Sequence, residues 1–128
     1  MSGLGFKGKY PVKHRQHEVR LSLLKFKEDH VFIIYSPSLD LSGYGKDTRS
    51  AKRSFEIAME EFVSYTANKG TLVKELERLG WKITGSRTKP KYQPPYLDQM
   101  FTERPYLGEI FRNKEFHRYE EEVLFPAA

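Results

Sequence analysis

The hydrophobic period of this chain changes once, sharply, and that change restricts its fold class. From Val19 the apolar residues alternate as Val19, Leu21 and Leu23 against Arg20 and Ser22, the period-2 pattern of a strand with one buried face. Val31 to Tyr35 is a short run of β-branched and aromatic residues, too short for a helix. Lys27 to His30 connects the two as a hairpin, and Leu39 to Tyr44 offers a third extended segment closed by Gly43 and Gly45. Beyond Asp47, Thr48 and Ser50, which are candidate caps, the period becomes 3.6. Ala51, Phe55, Ala58, Met59, Phe62 and Thr66 form one face of a helix over Arg49 to Lys69, with charged residues on the other. A period of 2 followed by a period of 3.6 predicts an α+β unit: a small antiparallel sheet packed on one main helix.

The rest of the chain divides by composition. Asn68, Lys69 and Gly70 stop the helix, Thr71 opens a second short helix to Leu79, and Trp81 to Thr84 reads as a closing strand. Residues 1–17 hold Gly3, Gly5, Gly8 and Pro11 with four basic residues and no acid, and are expected to be a flexible basic arm. Residues 18–84 then form the compact domain, and residues 85–95, rich in Gly, Pro and base, a linker. Residues 96–128 are an extension of net negative charge whose apolar content must pack on the domain or on a neighbouring subunit. Within it, Tyr96 to Phe101 suggests one short helix before Pro105, Leu107 to Phe111 another turn, and Phe116 to Pro126 a last strand.

The segment from Val19 to Trp81 resembles a known family. A hairpin is followed by YSPSLDLSGYG at Tyr35 to Gly45, by an alanine- and aromatic-bearing helix, and by GTLVKELERLGW at Gly70 to Trp81. This order is similar to the HicB antitoxin-like domain. The resemblance implies a β-β-β-α-β arrangement, a partial ribonuclease H-like fold without nuclease chemistry. It also implies a HicA-like ribonuclease toxin as protein partner, or a derived solitary role. Many relatives add a basic DNA-binding domain at the C-terminus; residues 96–128 carry no basic recognition helix.

Catalysis finds little support in the residues. The chain has no cysteine, so disulfides, thiol catalysis and Cys-based zinc sites are excluded. A two-metal nuclease needs converging carboxylates, yet the first strand offers Arg20 and Ser22 instead. Asp40 and Asp47 flank the Gly43 to Gly45 turn and suit turn and cap duty. His14, His17, His30 and His117 lack the spacing of a metal site and read as exposed. Ser36, Ser38 and Ser42 lack a nucleophile elbow, and Gly43-Tyr44-Gly45 is no phosphate loop. We therefore expect no enzyme, no cofactor and no metal site.

Two sets of residues remain as candidates for binding. Tyr44, Trp81, Phe101, Phe111 and Phe125 are candidate partner-interface residues, although Trp81 also suits the core. Lys7, Lys9, Lys13, Arg15, Arg87, Lys89 and Lys91 interleave base with Phe6, Tyr10 and Tyr92 and are candidate nucleic-acid contacts. The net charge of +5 permits such contacts without requiring them. A sheet this small leaves a face and an edge to cover, so self-association or a protein partner is expected. No stretch is apolar enough for a membrane span or a secretory leader, and cytoplasmic location is the expectation.

Overall fold

The computed structural model describes residues 16–86 and 88–126. Its fold is α+β, built on a four-stranded antiparallel sheet. The strands are β1 (Gln16–Glu28), β2 (Val31–Ser36) and β3 (Leu41–Gly45), then, far along the chain, a strand at Phe116–Pro126. Between them lie α1 (Thr48–Lys69), α2 (Leu72–Arg78), β4 (Lys82–Gly85), β5 (Pro90–Gln93), α3 (Leu97–Glu103) and α4 (Pro105–Asn113); the last strand is β6. Sheet order is β3-β2-β1-β6, and β4 with β5 forms a separate two-stranded ribbon.

β1 is longer than the alternation suggests because it serves two neighbours. It pairs with β2 from Leu24 to Glu28 and with β6 from Gln16 to Phe26. The hairpin turn is correspondingly tighter than four residues. Glu28 pairs with Val31, and Asp29 takes a positive φ of 55°, a conformation aspartate tolerates better than most residues. Pro37 lies just past β2 in the turn to β3, so β2 keeps an interior position.

Odd-numbered residues of β1 face α1. Val19, Leu21 and Leu23, with Ile34, Val123 and Phe125, form one core with Ala51, Phe55, Met59 and Val63 of α1 and with Leu72 and Leu76 of α2. The buried face of α1 is thus rotated slightly from the expected one: Val63 is in the core and Phe62 is only half-buried at its margin. Gly43 and Gly45 set the distance between layers. A Cβ at Gly43 would overlap the backbone of Phe55, and one at Gly45 would overlap Ser50, so the helix backbone rests directly on β3. Asp47 caps α1 by accepting from the Ser50 backbone N–H at 2.8 Å. Gly70, at φ 65°, closes the helix, with Thr71 N–H donating to the Thr66 carbonyl.

Even-numbered residues of β1 face the other way, and two of them, Leu24 and Phe26, are also buried. Leu24 and Phe26, with Ile33 and Tyr35 of β2, pack against Met100, Leu107 and Ile110 of α3 and α4. The sheet is therefore covered on both faces, one helical layer coming from the middle of the chain and one from its end.

Three expectations are corrected by this arrangement. The strand after Trp81 pairs with β5 and does not close the main sheet; β6 takes that place beside β1. The Pro- and Lys-rich stretch read as a linker contains β5, which begins at Pro90, a residue tolerated at the start of a strand. The compact unit does not end at residue 84: the residues after 96 pack on it, as their apolar content requires, and also supply an edge strand of its sheet. Residues 1–15 of the expected arm lie outside the described residues, whereas Gln16 and His17 belong to β1.

Candidate functional site

The second helical layer is held by a buried cation. Arg104 stands between α3 and α4, before Pro105, and a residue before proline is pushed to extended backbone; here φ is −126° and ψ 89°. That break in the helix directs the side chain inward, where Arg104 is 6% exposed. One terminal guanidinium nitrogen donates to the Leu79 carbonyl at 2.7 Å and, at the longer distance of 3.5 Å, to the Ser38 carbonyl. Trp81 Nε1 donates to the same Ser38 oxygen at 2.8 Å. The α3–α4 layer is thereby tied to the end of α2 and to the β2–β3 turn. In that turn, Tyr35 donates its hydroxyl to Asp40 at 2.6 Å, and Tyr106 of α4 meets the Tyr35 ring edge-on at 5.2 Å. Burial, and then the Asp40 contact, push the Tyr35 phenol far above its ordinary value, so it remains a hydrogen-bond donor.

The outer surface of the same layer is apolar. Phe101 and Phe111 form an edge-to-face pair at 4.9 Å, and Phe111 meets Phe116 of β6 at 4.7 Å. Phe101 is 37% exposed, Phe111 40%, Leu97 44% and Tyr96 64%. These four side chains occupy one helical hairpin and its lead-in, whereas Tyr44, Ile57 and Tyr65 are exposed elsewhere, on β3 and α1.

Beneath the hairpin lies a cleft of about 410 Å³. Its walls include Leu97, Met100, Leu107 and Phe111, together with Pro94 and Pro95. Its floor is where β1 and β6 present polar residues on the second face: Ser22 and Glu120, directly opposite each other, with Arg20 and Arg118 diagonal to them. Arg20 pairs with Glu120 at 3.3 Å, and Arg118 donates to the Ser22 hydroxyl at 3.3 Å.

Of the candidate interface residues, Phe101 and Phe111 are brought together at the surface, and Trp81 and Phe125 in the core. Tyr44 is exposed on β3, the far edge strand of the sheet. Phe125 is corrected from interface to core, and Trp81 takes the core position that also suited it: both are buried, with ring centroids 5.9 Å apart, and the indole seals the end of the first core against β6. Lys91 is exposed on β5, and Lys89 is exposed in the connection between β4 and β5. Lys7, Lys9, Lys13, Arg15 and Arg87 lie outside the described residues. His17 is not fully exposed as expected but half-buried beside Tyr92, while His30 and His117 are exposed and His14 is undescribed.

The residues weighed for chemistry have local duties. Asp40 accepts from Tyr35, Asp47 caps α1, and the Ser36 hydroxyl accepts from the Leu39 backbone N–H at 3.4 Å inside the turn. Among the described residues no group of three or more His, Cys, Asp or Glu side chains converges on a metal-sized site. Comparison with protein-family models, curated proteins and solved structures finds no match for this chain. Among the described residues no helix is long and apolar enough to cross a membrane. What the α3–α4 layer offers is a contact surface with a cleft at its base.

Sequence reasoning did not find Tyr96, Leu97, Arg104 or the Arg20–Arg118 floor. The signal for Arg104 was present, as an arginine before a proline inside the most apolar part of the tail. The floor depended on the pairing of β1 with β6, which local periodicity does not encode.

Proposed function

We propose that the protein is a non-enzymatic protein-interaction module whose partner docks on the outer face of α3 and α4. The observation that carries this reading is the contiguous exposure of Tyr96, Leu97, Phe101 and Phe111 on a layer pinned rigidly from beneath by Arg104. Apolar side chains held in place lose little entropy on binding, and clustered aromatic anchors supply most of the affinity in protein interfaces. The HicB-like pattern of Val19 to Trp81 gives the partner its most concrete form, a HicA-like ribonuclease toxin. Self-association through the same face is the homo-oligomeric form of the proposal.

The test is a quantitative pull-down from the native cell with three baits: the wild type, Phe101→Asp with Phe111→Asp, and Tyr65→Asp on the exposed side of α1. Proteins retained by the wild type should be lost from the double variant and kept by Tyr65→Asp. Equal retention by all three would remove the α3–α4 face from the account. A second reading, RNA or DNA binding through the basic N-terminal arm and residues 85–95, is favoured by the exposure of Lys89, between β4 and β5, and of Lys91, on β5. It requires nucleic-acid affinity that falls steeply with salt and drops further in Lys89→Gln with Lys91→Gln.

A further inference from the structure

We propose that the cleft under the α3–α4 hairpin is a small-molecule site for an apolar monoanion, a compact hydrophobic body bearing one carboxylate. The argument begins with the floor. Arg20 is matched by Glu120 at 3.3 Å, whereas among the described residues Arg118 donates only to the neutral Ser22 hydroxyl, at 3.3 Å. No carboxylate of the described residues lies within ion-pair distance of Arg118, although Glu120 stands on the same face of β6. Among the residues lining the cleft, Arg20 and Arg118 are set against the single carboxylate of Glu120, one cation in excess, while Glu122, opposite Arg20 in the sheet, lies outside the lining.

An arginine in this position favours a planar, bidentate acceptor, and a carboxylate matches its fork in geometry as well as charge. The walls state what the rest of the ligand must be. Leu97, Met100, Leu107 and Phe111 leave a concave apolar surface above Arg118 and Ser22. At about 410 Å³ the cleft falls in the size range of sites that enclose small organic ligands. A nucleic acid fits poorly, because one unmatched cation in a dent is not a basic track along a backbone. The cleft shares Tyr96, Leu97 and Phe111 with the aromatic face, but its charged floor on β1 and β6 is not part of that face, so the inference does not depend on the face binding a protein.

The probe is 2-naphthoate, rigid and singly charged, with the uncharged 2-naphthamide as its isostere. Each is titrated calorimetrically into the full chain at low salt. Expected is one naphthoate per chain, with the amide at least tenfold weaker. Arg118→Gln should lower naphthoate affinity at least tenfold and bring it level with the amide, and Lys91→Gln should leave it unchanged. Arg118 is exposed, so the variant should keep the wild-type melting temperature, which is measured in parallel. A second variant, Leu97→Asp at the rim, should weaken both probes. The proposal is overturned if naphthoate does not bind, if the amide binds equally well, or if Arg118→Gln binds naphthoate as the wild type does.

Discussion

Replacing Arg104 by methionine tests how the C-terminal layer is held. Methionine is unbranched and apolar and occupies much of the same channel, so the substitution isolates the hydrogen bonds and the charge. Two opposite effects must be weighed. Burial of a guanidinium is costly; among the described residues Arg104 Nε has no hydrogen-bond partner, and the ion pair of Arg104 with Glu103 at 3.5 Å involves a half-exposed carboxylate, so part of that cost is unrelieved. Against it stands a charge-assisted bond to the Leu79 carbonyl at 2.7 Å, worth about 1.5 to 3 kcal/mol. The Ser38 carbonyl keeps its bond from Trp81 when arginine is lost, whereas the Leu79 carbonyl at the end of α2 is left with no replacement donor.

Leaving one buried acceptor unpaired costs about 1 to 3 kcal/mol, and that is the net destabilisation expected for Arg104→Met. At about 4 °C per kcal/mol for a chain of this size, the melting temperature should fall by roughly 4 to 12 °C. Arg104→Ala should fall further, because it adds a cavity to the lost bond. Calorimetry on both variants decides the question. A methionine variant that melts at or above the wild-type temperature would show that desolvation outweighs the Leu79 contact and that the layer is held by its apolar face alone.

Other consequences follow from the same packing. Gly43→Ala should cost about 2 to 3 kcal/mol in urea denaturation because its methyl would strike the Phe55 backbone, whereas Gly70→Ala, with open space around it, should cost about 1 kcal/mol for the left-handed backbone alone. Equal effects would contradict the seating of α1 on β3. Phe55→Ala should destabilise by about 3 to 5 kcal/mol and the half-buried Phe62→Ala by clearly less, a ranking that chemical denaturation reads directly. Burial, with a smaller contribution from Glu121, pushes the Tyr119 phenol up to about 12. A raised acid favours the native state below its unfolded value near 10, and this contribution is lost as pH rises from there through 12. Tyr119→Phe should therefore lose less stability than the wild type over that window, as equilibrium denaturation at stepped pH would show.

The strands, the main helix and the short helices of the tail were legible because each has its own period. The placement of the tail was harder, although β1 carried a clue. Val19, Leu21 and Leu23 describe one buried face, but Leu24 and Phe26 continue on the other, and a strand apolar on both sides needs cover on both sides. Phe62 was read as core because helical spacing alone cannot tell it from Val63; the choice is made by how closely Gly43 and Gly45 let α1 approach. β5 was hidden by its prolines and lysines, which suit a short exposed ribbon as well as a linker. The candidate site was half visible: Phe101 and Phe111 stand out by spacing, while Arg118 acquires meaning only when β6 is set beside β1.

The most direct test of the central claim, that the outer face of α3–α4 is the contact surface, is site-specific photo-crosslinking in the native cell. A photoreactive phenylalanine analogue is placed in turn at Phe101, Phe111, Tyr65 and Tyr44, all exposed in the free protein. The account predicts a discrete covalent adduct from positions 101 and 111 and none from 65 or 44. Adducts confined to 65 or 44, or none from 101 and 111, would contradict it.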